Sequence, residues 1–134
     1  MTDRELLNAA LIAREAAYAP YSGYRVGAAL LAEDGTVYTG CNMENASYSV
    51  TLCAERAAFA TAISAGARKF KAIAVAGGRG LKADETASPC GVCRQVMAEF
   101  GGEDFAVILG NDAVLSRYNL GKLLPLSFAL EENK

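Results

Sequence analysis

Three cysteines and one glutamate have the residue types and spacing of a metal-dependent active site. Glu55 stands two residues after Cys53, and Cys90 and Cys93 form a Cys-x-x-Cys pair further along the chain. Thiolates bind zinc, and three of them leave its fourth tetrahedral position open, as in catalytic sites. A carboxylate two residues from a ligand can lie over that position as a general acid/base. The pattern therefore predicts a catalytic zinc site.

Two other uses of the cysteines remain open from the residues alone. A Cys-x-x-Cys pair is also typical of a redox dithiol. Cys41 brings the number of cysteines to four, which is enough for a closed structural zinc site. A closed site leaves Glu55 without a role, and the interval from Cys41 to Cys53 matches no common short ligand pair. We therefore favour three ligands, with Cys41 a small buried residue at the end of a strand.

Both parts of the site stand at the start of a predicted helix. Thr51 and Ser88 are candidate N-caps, and Pro89 suits the first helical position. Cys53 and Cys90 would then lie in first helical turns, whose positive dipole ends stabilise thiolates.

The charge on three thiolates exceeds that of Zn²⁺, so the sulfurs need hydrogen-bond donors. Arg56 is placed to donate to them, whereas nothing in the sequence gives Arg94 such a role, and we interpret it as an ordinary surface or intersubunit residue. The chain has no histidine, so acid/base catalysis near neutral pH requires a carboxylate with a shifted pKa.

The composition indicates one globular domain spanning 1–134. The 134 residues are 52% hydrophobic and 21% charged, with a net charge of −2 and no long basic run. Nucleic acid is therefore not an expected partner. No apolar stretch has the length of a membrane span, and the first residues do not resemble a signal peptide, so we expect a cytoplasmic protein. In that compartment the cysteines serve as ligands or free thiols rather than disulfides.

The hydrophobic pattern predicts the order αββαβαββα. Asp34-Gly35 indicates a hairpin between the first two strands, and we interpret 77–80 as a flexible connector. The order favours an α/β fold with a mixed sheet of about five strands, helices on both faces and a right-handed crossover. We expect helices over 3–18, 53–65, 90–100 and a short turn capped by Asn119, and strands over 26–31, 36–41, 72–76, 105–109 and 113–117.

Cys-Ala-Glu-Arg at 53–56 and Pro-Cys-Gly-Val-Cys-Arg-Gln at 89–95 resemble the small, homotetrameric cytidine deaminases of pyrimidine salvage. The resemblance implies a three-layer α-β-α fold, a homotetramer and one zinc ion per subunit. It also implies hydrolysis of cytidine and 2′-deoxycytidine to uridine and 2′-deoxyuridine plus ammonia, by a hydrolase that acts on cyclic amidines. Further motifs, which extend the likeness over nearly the whole chain, lie at 18–22, 26–30, 40–45, Tyr48 and 123–125 with Phe128.

The resemblance also implies which residues contact the nucleoside. Asn42 and Glu44 match the pair that holds the ribose, with Glu44 bonding the 3′-hydroxyl. The backbone of Ala54 matches a partner of the base carbonyl, and the carbonyl of Ser88 one of the exocyclic amine. Tyr24 stands where the family commonly has a phenylalanine beside the base.

Two further aromatic residues match positions near subunit contacts. Phe128 matches a residue that reaches a neighbouring subunit's site, and Tyr48 lies in a loop that meets neighbours. Core packing is the alternative for these two and for Tyr24.

Glu55 would take a proton from the attacking water, protonate ring N3 and then protonate the departing amine.

Two alternative functions remain. A related branch deaminates the nucleoside antibiotic blasticidin S, but it lacks the Asn-x-Glu-Asn loop and the Cys-Ala-Glu-Arg arginine, so cytidine is favoured. A structural-zinc interaction module is the non-enzyme alternative, and it requires a closed metal site.

Overall fold

The helices and strands follow the predicted order. The computed structural model describes residues 1–79, 83 and 86–130. A short 3-10 turn at Tyr48–Val50 is an addition to the prediction. The elements are α1 (Asp3–Arg14), β1 (Tyr24–Ala32), β2 (Val37–Cys41), α2 (Ala54–Ser64), β3 (Phe70–Arg79), α3 (Gly91–Phe100), β4 (Ala106–Gly110), β5 (Leu115–Asn119) and α4 (Leu120–Leu123).

Within the described residues, five strands form one mixed sheet with the order β2-β1-β3-β4-β5. The β3–β4 pair is parallel and the other pairs are antiparallel. Parallel neighbours need a crossover, and α3 lies in the connection between β3 and β4. Helix α1 packs on one face of the sheet, and α2 and α3 pack on the other. The predicted three-layer α-β-α fold is confirmed. No described helix has the length and apolar character needed to cross a bilayer.

Helix α1 is shorter than predicted. Its start is stabilised by a capping box, in which the Glu5 amide donates to the Thr2 hydroxyl and the Thr2 amide donates to the Glu5 carboxylate. It ends at Arg14 and not at residue 18 because the amides of Glu15, Ala16 and Ala17 donate to carbonyls three residues back, in tighter turns than those of an α-helix. The Tyr18 amide donates to the Asn42 carbonyl (2.9 Å). This contact places the segment after α1 beside the segment after β2.

Strand β3 is longer than predicted, because Gly77 to Arg79 continue it instead of forming a connector. They pair with Val26 to Tyr24 of β1. A Cβ at position 77 would lie 2.7 Å from the Ala87 Cβ, so this glycine allows a close approach between layers rather than a turn. Gly80, which the prediction included in the connector, lies outside the described residues.

The ends of the other predicted helices and strands differ from the observed ends by at most two residues. The last short turn was predicted only by its cap. Gly35 has φ +93° in the β1–β2 hairpin, which confirms the Asp-Gly turn. Asn119 occupies the N-cap position of α4, but its side chain makes no capping hydrogen bond, so that detail of the prediction is wrong.

Gly40 of β2 brings α2 against the sheet. A Cβ at this position would lie 2.5 Å from the Ala58 nitrogen and 2.8 Å from the Ala54 oxygen, both in the backbone of α2. The first turns of the helix therefore pack directly on the strand, which positions the residues at its amino end.

Candidate metal and active site

The starts of α2 and α3 bring the three predicted ligands together. Cys53 and Cys90 are themselves the N-cap residues, with extended backbone and no capping bond from their side chains. The assignment of Thr51 and Ser88 as caps is therefore wrong, because each helix begins later than that assignment requires. Cys93 lies in the first turn of α3 and is fully buried. All three thiols still lie at positive helix ends.

The sulfur positions fit a zinc ion. The Sγ–Sγ distances are 4.0 Å between Cys53 and Cys90 and 3.5 Å between Cys90 and Cys93. All three sulfurs lie within 4.8 Å of one another. Zinc–sulfur bonds of about 2.3 Å in a tetrahedron place sulfur atoms about 3.8 Å apart. Cys41 is not part of this group among the described residues, so the predicted three-cysteine arrangement is present and the closed four-cysteine arrangement is not.

Two of the three thiols have shifted pKa values. A hydrogen bond from Cys93 and the neighbouring Arg56 guanidinium lower the pKa of Cys53 to about 5. The pKa of Cys93 is raised, first by the hydrogen bond of Cys93 with Cys53, then by burial and by the negative charge of Glu55. The pKa values of these two thiols therefore shift in opposite directions. Binding zinc at all three cysteines requires their thiol protons to leave.

Arg56 contacts the group of three cysteines, as the sequence predicts. Its Nη2 donates to Cys53 Sγ (3.6 Å) and to the Thr51 carbonyl (3.1 Å). Its Nε is buried and has no hydrogen-bond partner among the described residues. The guanidinium is thus held against the thiolates and is not a solvated helix side chain.

Replacing Arg56 by glutamine is expected to lower kcat by about 10- to 100-fold and to weaken zinc binding less. Without the guanidinium more charge stays on the sulfur, and the zinc becomes a weaker Lewis acid. Kinetics and elemental analysis of the purified variant would test this. Arg68→Gln, which changes an exposed arginine after α2, is the matched control. Equal rates for Arg56→Gln and the wild-type protein would contradict the role of Arg56.

Glu55 is buried beside the three cysteines, in the first turn of α2. Its exposed fraction is 5%. Burial raises the pKa of Glu55 to about 7, and the negative charge of Cys53 acts in the same direction. A carboxyl group with a pKa near neutral can both accept and donate a proton, as general acid/base catalysis requires.

One pocket of about 280 Å³ joins Glu55 to most of the other predicted site residues. Glu55, Ala54, Cys53 and Cys90 all line it. Ala54 is the first residue of α2, where backbone amides lack partners within the helix. The described residues that line the pocket are Ser22, Tyr24, Val26, Asn42, Glu44, Thr51, Leu52, Cys53, Ala54, Glu55, Val75, Ala87, Ser88 and Cys90.

Asn42 is buried, and its side chain bonds to the start of β1. Its Oδ1 accepts from the Val26 amide (2.9 Å) and its Nδ2 donates to the Tyr24 carbonyl (2.8 Å). One amide hydrogen and one lone pair remain for a ligand. Asn42 therefore positions the aromatic wall of the pocket as well as lining it.

The aromatic residues divide into two groups. Tyr24 is half-buried in the pocket wall, with the Arg79 guanidinium 5.9 Å from its ring centroid. Tyr48 is 72% exposed and Phe128 is 71% exposed, and neither is among the described residues that line the pocket. Core packing, the alternative considered for Tyr48 and Phe128, is not found for either within the described part of the chain.

Sequence reasoning missed the internal hydrogen bonds of Arg94. Its interpretation as an ordinary surface residue is wrong, and the intersubunit alternative stays a prediction. Its guanidinium donates to the Pro89 carbonyl (2.8 Å), the Leu123 carbonyl (2.6 Å) and the Ser88 hydroxyl (2.9 Å). It thereby connects the loop before Cys90 to the carboxyl-terminal part of the chain. Two acceptors are backbone carbonyls, which carry no signal in the residue types.

Comparison with known proteins gives consistent matches. The family model described as "Cytidine and deoxycytidylate deaminase zinc-binding region" matches residues 1–109. A cytidine deaminase from Sporosarcina psychrophila is 49% identical over 90% of this chain and 86% of its own length. One from Halalkalibacterium halodurans is 47% identical over 97% of both chains. The crystal structure of a cytidine deaminase from Burkholderia pseudomallei has a TM-score of 0.87 and 48% identity, covering 96% of this chain and 100% of that one.

Proposed function

Because the chain belongs to the cytidine and deoxycytidylate deaminase family, we propose that it hydrolyses cytidine and 2′-deoxycytidine to uridine and 2′-deoxyuridine, with release of ammonia. The observation that carries this proposal is the position of buried Glu55 beside three convergent thiols in one pocket. Pyrimidine salvage in the cytoplasm is the corresponding role, performed by one catalytic domain that spans 1–134.

Cys53, Cys90 and Cys93 would hold one zinc ion per subunit. When bound there, zinc supplies a Lewis acid that makes water nucleophilic near neutral pH. Arg56 donates to the Cys53 sulfur and offsets part of the thiolate charge. The buried surroundings of the cluster strengthen these electrostatic interactions.

Glu55 carries the protons of the reaction. It accepts a proton from the attacking water as the oxygen bonds to C4 of the cytosine, and it donates that proton to N3. It then transfers the proton of the new hydroxyl group to the exocyclic amine. The C4–N bond breaks, ammonia leaves, and the uracil carbonyl remains. The pKa of Glu55, about 7, suits both the acceptance and the donation of a proton.

The pocket walls support contacts along the whole nucleoside. The Ala54 amide would donate to the base carbonyl, and the Ser88 carbonyl would accept from the exocyclic amine. Tyr24 would pack beside the base. Asn42 and Glu44, which line the same pocket as Glu55, would hold the ribose.

The direct test is ammonia release from cytidine by the purified, zinc-loaded protein, with uridine measured in parallel. We expect equal amounts of the two products. Blasticidin S as a second substrate distinguishes the related branch, because turnover of it alone would exclude cytidine as the substrate. Bound zinc without turnover of either compound would favour the structural-zinc module.

We also propose that the chain forms a homotetramer in which Phe128 reaches a neighbouring subunit's pocket. Leu126, Phe128 and Leu130 are all exposed near the carboxyl end, and exposed apolar patches are typical of interfaces. Gln95 of α3 donates to the Phe128 carbonyl (2.9 Å), which holds the backbone of this segment beside the helix. A symmetric assembly would bury these side chains.

Replacing Phe128 by alanine is expected to raise KM for cytidine about fivefold or more, because an aromatic contact to the base is lost. Truncation after Pro125 should lower both activity and tetramer stability, measured by light scattering. Ile12→Ala removes an equally exposed apolar side chain from α1 and is the control. A fully active monomer at assay concentration would contradict the shared pocket.

A further inference from the structure

The segment between α1 and β1 forms part of the pocket wall, although the proposed chemistry gives it no role. It runs beside the residues that follow β2. The Tyr18 amide donates to the Asn42 carbonyl (2.9 Å), and the Glu44 amide donates to the Tyr18 carbonyl (2.8 Å). Ser22 and Glu44 both line the pocket. The two segments therefore meet where a sugar would bind.

Three donors from this segment bond to the Glu44 carboxylate. The amides of Tyr21 and Ser22 donate to Oε1, at 2.9 and 3.2 Å. The Ser22 hydroxyl donates to Oε2. The same hydroxyl accepts from the Tyr24 amide (2.9 Å), so its orientation is determined from both sides. The Ser22 hydroxyl is also the main cause of the lowered pKa of Glu44, which keeps this carboxyl group ionised.

These bonds fill most of the acceptor capacity of the carboxylate. An ionised carboxylate has about four lone-pair positions. Oε1 has both of its positions filled and Oε2 has one filled. The remaining position is on Oε2, the oxygen that Ser22 orients. A carboxylate with both oxygens available could instead accept from two neighbouring hydroxyls.

We propose that Ser22 is a positioning residue, which with Tyr21 leaves Glu44 one acceptor position and directs it at a single sugar hydroxyl. The inference rests on the proposed function, in which that hydroxyl is the 3′-hydroxyl. Recognition then does not require the 2′-hydroxyl, so ribose and deoxyribose meet the same carboxylate geometry. Ser22 acts through Glu44 and touches no reacting atom.

The test compares Ser22→Ala with wild-type protein on cytidine and on 3′-deoxycytidine, which lacks the hydroxyl in question. We expect Ser22→Ala to raise KM for cytidine about tenfold, because the carboxylate loses its orienting donor. We expect less than a twofold rise for 3′-deoxycytidine and a rise for 2′-deoxycytidine equal to that for cytidine. Ser22→Thr keeps the hydroxyl and should restore the KM for cytidine. Ser64→Ala, at an exposed serine, controls for loss of a hydroxyl elsewhere.

An equal rise in KM for cytidine and 3′-deoxycytidine would overturn the proposal, because the effect would then be general to the loop. The ratio of the two KM values comes from one protein preparation, so partial misfolding does not mimic the expected result. Failure of the wild-type protein to deaminate any cytidine would instead overturn the proposed function.

Discussion

Replacing Glu55 by glutamine is expected to lower kcat for cytidine by at least 10² and by as much as several orders of magnitude. Glutamine has nearly the same shape but cannot accept and return a proton. Glu55 is not one of the three convergent sulfur ligands, so zinc content should stay near that of the wild-type protein. Single-turnover kinetics and elemental analysis on the same preparation measure both quantities.

Glu103→Gln is the matched control, because Glu103 is exposed and does not line the pocket. It should leave kcat within experimental error. Activity of Glu55→Gln within about tenfold of the wild-type value would show that another group carries the protons, since acid/base groups contribute more than that.

Alanine at Cys53, Cys90 or Cys93 is expected to abolish both zinc binding and turnover. Each change removes one of three thiolates, and two are too few to hold the ion with an open fourth position. Metal binding is linked to folding, so each variant should also melt at a lower temperature than the zinc-loaded wild-type protein. Elemental analysis and calorimetry would measure the two effects.

Cys41→Ala provides the matched comparison for the ligand variants. Cys41 is half-buried at the end of β2 and lies apart from the sulfur group in the part of the chain described. This variant should keep its zinc and most of its activity. Loss of zinc from it would identify a closed four-cysteine site and would exclude the catalytic interpretation.

The convergence of the ligands could be predicted from the sequence because it depends on local signals. Cys53 and Cys90 each stand where a helix begins, and residue spacing alone places Glu55 and Cys93 in the first turns. The hairpin at Asp34-Gly35 also follows from local chemistry. The predicted caps are each two residues too early, but the thiols still lie at the helix starts, so the prediction of the site does not depend on the choice of cap.

Features set by contacts between distant segments could not be predicted. The glycine-rich stretch that starts at Gly77 suggested a loop. The sequence does not show that Gly77 lies against Ala87, ten residues further along the chain. The bonds of Arg94 to Leu123 and of Ser22 to Glu44 likewise join segments far apart in sequence. Residue types do not specify such partners when one of them is a backbone carbonyl or an exposed hydroxyl.

The close contact at Gly40 limits how this protein can change during evolution. Any side chain there would displace the backbone of α2, and Cys53 and Glu55 would move with it as one unit. Under the proposed function, one such change would therefore disturb metal binding and proton transfer together. Ser22 and Glu44 lie outside that helix, on the segments that follow α1 and β2. Under the proposed function, changes at these two residues can therefore alter sugar binding without moving the start of α2.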